Sequence, residues 1–453
     1  MSLSRETLCY LQAPKPVIAA MVMALGLAAP QATLAQSLQE LYDAARAYDA
    51  SFLSARAQAE SAQYKAAQAD ALKLPSASLT SSASRTDTSL PSGRELYTHN
   101  AQVGLQGRHP LFNRSNVATI DQAQKSLALA VAELETAEQD LILRVAQAYF
   151  DVLASQDALS TTKASKTFIT EQLASAKRNF EVGTATITDT REAQARFDLA
   201  TAQEIFADND LRTKRIALDV LVGRSGVSPK PLVVPVRLPG VSPAQVEEWV
   251  NVADSQHPSV LKARLAQDIA RLETTKARAG QAPTVDLVGS LTGSNSRGTA
   301  VTASGSRPGT TTTANFGVQM NWPLFTGYAV DNRIKETVVL EEKARNDAEV
   351  ARRAVAQGTR VAFYGVQSGQ AQVLALEAAE SSSKLALEAT QLGYKVGVRV
   401  NLDVLNSQAQ LYQTQRDLAK ARYDVIVGGL RLRQASGQLR PQDVAAVSAL
   451  LAK

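Results

Sequence analysis

The sequence predicts an α+β membrane protein in which long coiled-coil helices are joined to four short membrane-crossing strands per chain. Three observations predict it. The segment Arg114–Glu181 runs for 68 residues without a proline or a glycine. Stretches bracketed by prolines switch from helical periodicity to alternation of apolar and polar residues. Beyond residue 35 no run of 18 consecutive apolar residues occurs, so any membrane crossing falls to strands.

The first element is an export leader. Arg5 and Lys15 form a positive start, residues 17–29 are an apolar run, and Thr33-Leu34-Ala35 is a small-residue cleavage site. The mature chain is expected to begin at Gln36. Thirteen helical residues reach only about 20 Å, short of a bilayer core. The single cysteine, Cys9, precedes that run, so the mature chain has no thiol for disulfides, catalysis or metal binding, and no lipid-anchor cysteine. Removing Arg5, Lys15 and Glu6 leaves a formal charge of +4, which makes no case for a nucleic-acid partner.

The rest is one unit written twice. Ser51-Phe52-Leu53-Ser54-Ala55-Arg56 returns as Ser259-Val260-Leu261-Lys262-Ala263-Arg264, and Pro75 returns as Pro283. Pro110-Leu111-Phe112 returns as Pro323-Leu324-Phe325, Val182-Gly183 as Val396-Gly397, and Gly223 as Gly437. The expected first repeat covers 36–241: a helix, strands over about 75–110, a long helix over 114–181, a tip turn, a helix over 189–223 and a linker. The second covers 242–453: helices, strands over about 283–323, a long helix over 327–394, a tip turn, a helix over 401–437 and a C-terminal segment. The five prolines of 225–243 mark the join, and 441–453 reads as a short helix beside it.

Heptads run along the long helices. Ile120, Leu127, Leu134, Leu141 and Ala148 recur every seven residues, with Ala123, Ala130 and Ala137 as companions. The second unit has Ala348, Val355 and Ala362 with Ala344, Ala351 and Gly358. Small residues at sustained seven-residue spacing predict close side-by-side packing.

Between the prolines the period becomes two. Ala314, Phe316, Val318, Met320 and Trp322 share one face, and Thr313, Asn315, Gly317, Gln319 and Asn321 the other. Ala101, Val103 and Leu105 alternate with Gln102, Gly104 and Gln106; Val285, Leu287 and Leu291 mark a third strand, and Ala77, Leu79 and Ala83 a fourth. By the strands alone a soluble amphipathic hairpin fits as well as a membrane barrel. The leader, and a Ser/Thr/Gly-rich loop expected over 294–312, favour the barrel. Four strands cannot close one, so copies of the chain must pool their strands.

Two tip segments carry a resemblance. They are Arg178-Asn179-Phe180-Glu181-Val182-Gly183-Thr184 leading to Ile187-Thr188-Asp189, and Gly393-Tyr394-Lys395-Val396-Gly397-Val398-Arg399 leading to Leu402-Asp403-Val404-Leu405. Doubled and each closing a long helix, they make the chain resemble the TolC family of outer-membrane efflux and type I secretion channels. The resemblance implies a homotrimer with a shared 12-stranded outer-membrane β-barrel and a periplasmic α-helical barrel below it. It implies a passive exit duct working with a periplasmic adaptor protein and an inner-membrane ABC or proton-driven transporter. It also implies a gate of Tyr394 and Arg399 with Asp189, Thr188 and Gln172, and a pore constriction at Asp403. One helical turn on stands Asn406, where the family pattern has a second aspartate, so weaker cation selectivity is expected. Val182, Gly183, Thr184, Val396, Gly397 and Val398 are the implied adaptor-docking tips.

No His-x-x-x-His, cysteine pair, phosphate loop or nucleophile elbow appears, so no enzyme activity, cofactor or metal is expected. The competing reading is a periplasmic coiled-coil scaffold or adaptor without a pore. The cargo, and the choice between secretion and efflux, are not written in these residues.

Overall fold

The computed structural model describes residues 35–452, apart from 234, 237, 305 and 306; the expected leader lies outside them except for Ala35. The first half comprises α1 (Leu38–Tyr48), α2 (Ala50–Asp70), a 3-10 turn (Ala71–Lys73), β1 (Ser76–Ser89), β2 (Glu95–Phe112), α3 (Arg114–Glu181) and α4 (Ile187–Val222). The second comprises α5 (Val246–Gln256), α6 (Pro258–Ala279), β3 (Thr284–Arg297), α7 (Thr299–Ala303), β4 (Gly309–Asn321), α8 (Ala329–Lys395), α9 (Asn401–Ala435) and α10 (Pro441–Ser448).

Local chemistry sets the boundaries. Asp49 breaks the first helical stretch in two: its Oδ1 accepts from the Phe52 N–H at 2.8 Å, a helix-start cap. His257 plays the same part before α6, where Pro258 occupies the first turn and needs no partner. Asn113 caps the 68-residue α3. Its heptad series lies buried or half-buried, Ile120, Ala130 and Leu141 fully so.

The strands form one antiparallel meander in the order β1-β2-β3-β4. Leu79, Leu105, Leu291 and Ala314 stand opposite one another across it. Directly opposed residues share a face, so this face also carries Val103, Leu287, Phe316, Val318 and Met320. The other face presents Gln106, Ser78, Ser290 and Asn315 in one row, and Gly104, Thr80, Thr292 and Thr313 in the next. One side therefore suits hydrocarbon and the other water. Pro110, which has no N–H, sits at a register shift in β2. The loop expected over 294–312 is shorter than anticipated. Ser296 Oγ donates to Asn100 Oδ1 at 3.0 Å and Asn295 Nδ2 to Thr310 Oγ1 at 2.7 Å, so polar side chains extend the ladder outward.

The helices continue the sheet as a wall of the same width. Next to the strands the lateral order is α2, α3, α6, α8; toward the tips it is α4, α3, α9, α8. Gln122 of α3 and Arg333 of α8 both reach Glu273 of α6, and Arg422 of α9 reaches Glu377 of α8. Midway along α3 the wall thickens. Leu38, Leu41 and Tyr42 of α1 join Tyr149, Phe150, Leu218, Leu430, Leu439 and Val444 in the main apolar core. The Tyr149 hydroxyl donates to the carbonyls of Gln36 (3.2 Å) and Lys230 (2.9 Å), and the pairs Arg433–Asp443 and Arg440–Glu135 hold α10 in place. By contrast α8 leaves Val339, Val350, Val361, Leu374 and Leu385 exposed, and α4 leaves Leu199, Phe206, Ile216 and Val220. These two helices are lateral edges of the wall.

Candidate channel entrance

Both long helices end in the same way. At the close of α3, Gly183 adopts φ +79°, its N–H donates to the Phe180 carbonyl (3.0 Å), and the Thr184 N–H donates to the Asn179 carbonyl (2.8 Å). At the close of α8, Gly397 has φ +82°, with matching bonds to Tyr394 (3.1 Å) and, from Val398, to Gly393 (2.9 Å). This pair of bonds satisfies the last carbonyls of a helix and needs a residue free to adopt positive φ. The turns leave Val182, Val396 and Val398 exposed at the end of the wall. Thr184 is exposed with them.

After each turn the chain starts back up. Thr186 and Asp189 form a reciprocal cap: the hydroxyl accepts from the Asp189 N–H at 3.2 Å, and the carboxylate accepts from the Thr186 N–H at 3.0 Å. That cap fixes the Asp189 carboxylate at the head of α4. Asp189, Tyr394 and Arg399 line one cleft of about 450 Å³ between the two tips, together with Asn179 and Asn401. Asn179 Nδ2 donates across this cleft to the Tyr394 hydroxyl at 3.5 Å. Thr188 stands exposed at the rim, and Gln172 is half-buried in α3, two turns above the cap.

Within the chain the guanidinium of Arg399 lies 3.6 Å from Asp403, one turn along α9. Its side-chain stem crosses the end of α8 directly above Gly393. A Cβ at that glycine would fall 2.8 Å from the Arg399 Cγ, so only glycine leaves room for the stem to lie down there. Asn406, a turn beyond Asp403, accepts a bond from Arg196 of α4 at 3.0 Å. Asn179, Arg196 and Gly393 were not among the expected gate residues. Asn179 and Gly393 lie inside the quoted tip segments. The Arg196–Asn406 contact joins residues 210 apart and has no local signature in sequence.

A family model described as "Outer membrane efflux protein" matches this chain twice, over residues 41–224 and 249–438. The chain belongs to that family. The TolC proteins are among its relatives: the outer membrane protein TolC of Vibrio cholerae is 34% identical over 421 residues, covering 92% of this chain and 94% of that protein. The alkaline protease secretion protein AprF of Pseudomonas aeruginosa is 31% identical, over 79% of this chain and 73% of its own. The solved structure of the outer membrane protein VceC from Vibrio cholerae shares the fold, with a TM-score of 0.74 at 20% identity, over 88% of this chain and 96% of that one. Membership of the TolC family makes the chain an outer-membrane efflux or secretion channel, with strands in the membrane and helices in the periplasm. The family is one of transport channels, not of enzymes.

Proposed function

We propose that the chain is one of three identical staves of an export duct, closed at rest by contacts among its helical tips. The observation that carries this reading is the constant width of the wall. It is four strands wide in the membrane and four helices wide below, with open edges on β1 and β4, on α2 and α8, and on α4 and α8. An open strand edge in hydrocarbon leaves backbone groups unpaired at several kcal/mol each, so the edges must meet those of other copies. Three copies bring the strands to 12, within the range of known barrels.

The gate in this proposal consists of Tyr394 and Arg399 acting with Asp189, Thr188 and Gln172. The cleft that holds Asp189, Tyr394 and Arg399 supports it, and Asn179 joins the set through its bond to Tyr394. Exposed ion pairs contribute only about 0–1 kcal/mol each. Repeated around a ring, several of them still hold one of two states. Asp403 forms the constriction, and Asn406 with Arg196 beside it replaces a second acidic ring by amides and nearby cations. Val182, Gly183, Thr184, Val396, Gly397 and Val398 form the surface on which a periplasmic adaptor docks. The energy comes from an inner-membrane ABC or proton-driven transporter.

Single-channel conductance in a planar bilayer tests the proposal. The native protein is expected to show a small, steady conductance that rises severalfold in Arg399→Ser. Because Arg399 also faces Asp403, an Asp403→Asn variant is measured beside it. An equal rise there would assign the effect to Asp403 and remove Arg399 as the latch. No conductance from a well-folded oligomer would favour a scaffold without a pore.

A further inference from the structure

At the outer end of the sheet the lipid-side face stops being apolar in a specific way. Arg85 of β1 stands directly opposite His99 of β2, and His99 directly opposite Arg297 of β3. Counting in steps of two from Leu79, Leu105 and Leu291 arrives at these three residues, so they lie on the apolar face and not on the Ser/Thr/Gln/Asn face. From the row of Val285 and Met320 to that of Ala101 and Asn295 is ten residues, about 33 Å of strand and roughly 24 Å of height at a barrel's usual tilt. That height fits the apolar band of an outer-membrane barrel, with the large apolar side chains in its lower rows and small or polar ones (Ser81, Gly293, Thr312, Asn295, Thr310) mixed into its upper two. The row of Arg85, His99 and Arg297 is the next one out, at the level of the lipid headgroups.

The row is built rather than scattered. The Arg85 guanidinium lies 5.7 Å from the centre of the Tyr97 ring, and Tyr97 meets His99 edge-on at 5.5 Å. The Tyr97 N–H donates to Thr299 Oγ1 at 3.0 Å, which ties the loop after β3 to β2. Gly298 makes that tie possible: at φ +135° it passes so close to the Tyr97 carbonyl that a Cβ would lie 2.2 Å from the oxygen. Arg297 is thus held beside His99. Two carboxylates temper the patch: Asp87, 3.1 Å from Arg85, and Glu95 near the end of β2. Arg94 and Arg307 in the two outer loops match that offset, so the row keeps its positive charge.

We propose that Arg85, His99 and Arg297, with Tyr97, form a binding site on the barrel's outer surface for the phosphate groups of an anionic outer-leaflet lipid. The occupant follows from position and charge together. The site is continuous with the hydrocarbon-facing band, so its ligand carries acyl chains. Arg85 and Arg297 flank His99, one guanidinium on either side of it, and a guanidinium binds phosphate oxygens through two N–H groups at once. Basic residues at headgroup level attract anionic lipid by about fivefold in affinity each. The proposal requires only that the barrel stand in the outer membrane, and it is independent of any gate at the tip.

The test is thermal unfolding of the purified full-length protein in a neutral detergent, with diphosphorylated lipid A added stepwise. The native protein is expected to gain stability saturably, while inorganic phosphate at the same concentration gives no gain. In Arg85→Gln/Arg297→Gln the affinity is expected to fall roughly 25-fold. The charge-matched variant Arg94→Gln/Arg307→Gln, which leaves the row intact, is expected to bind as the native protein does. Equal weakening in both double variants would overturn the site in favour of general charge attraction. A response to inorganic phosphate alone, or none to lipid A, would overturn the lipid as occupant. Conductance of the same preparations reports separately whether the channel itself is intact.

Discussion

Two half-buried carboxylates illustrate how single residues set the pH range of this wall. Asp49 caps α2 and accepts two bonds from Arg144 of α3, at 2.9 and 3.0 Å. The Arg144 guanidinium first, and then the backbone N–H groups of the cap, hold its carboxyl below the usual range against the opposing effect of burial. Its stabilising contribution is therefore fully present above about pH 4 and is lost as pH falls through the lowered value. Asp49→Ala should cost about 2 kcal/mol at neutral pH, cap and ion pair together, and much less near pH 2, as read by thermal unfolding. Asp157 runs the other way. Burial pushes its carboxyl up, while the Tyr423 hydroxyl, donating at 2.6 Å, pulls it part of the way back. Between the ordinary carboxylate value and the raised one the folded chain keeps a proton that the unfolded chain has released, so stability falls as pH rises through that window. Tyr423→Phe deprives the carboxylate of its donor and should cost about 1–3 kcal/mol at pH 7, shrinking as the pH is lowered. A loss independent of pH would assign the effect to packing alone.

Among the elements, glycines in the same conformation differ by their neighbours. Gly183, at the tip, and Gly223, at the end of α4, both have φ above +70°. Nothing stands within 4 Å of a Cβ on Gly183, whereas one on Gly223 would strike the Tyr48 ring at 2.4 Å. Gly183→Ala should therefore cost only the backbone penalty, about 1 kcal/mol, and Gly223→Ala about 3 kcal/mol or more, compared in one denaturant series. Gly393→Ala makes a different prediction. Alanine suits a helix better than glycine by about 1 kcal/mol, so the fold should hold. The displaced Arg399 stem should nevertheless raise the resting conductance as Arg399→Ser does, although no charge has been removed. These tip turns were legible in sequence because a Val-Gly closing a long helix is a local signal. The heptads of α3 and the alternation in β4 were legible for the same reason. The break at Asp49 was not, since no proline or glycine marks it, and a capping aspartate inside a helical pattern resembles any exposed one. The pairing of Arg196 with Asn406 was beyond reach because its two halves belong to different repeats.

For the whole molecule, the exposed apolar residues of α4 and α8 are the counterpart of the bare strand edges. Val339, Val350 and Val361 recur every 11 residues along α8, and Leu199, Phe206 and Val220 follow multiples of seven along α4, so each series keeps to one flank. The two flanks are different surfaces, so contact between copies is head to tail, and the rotation per copy decides whether the ring closes. A charge on one flank, Val361→Glu, should reduce the fraction of oligomer measured by gel electrophoresis of unheated samples while leaving the helix content of the single chain unchanged. Sequence reasoning reached the need for partners from the strand count, but not which helices form the flanks, because lateral order is a property of the folded wall.

The same two-flanked construction governs how the duct comes into being. When two copies join, one seam forms, yet the pair still presents one bare flank at either side, as much raw edge to the lipid as a single copy had. The third arrival seals two seams at once and leaves none. Assembly is therefore expected to be all-or-none, with pairs too short-lived to accumulate, and a cell making a defective copy would keep intact ducts only in proportion to the cube of the sound fraction.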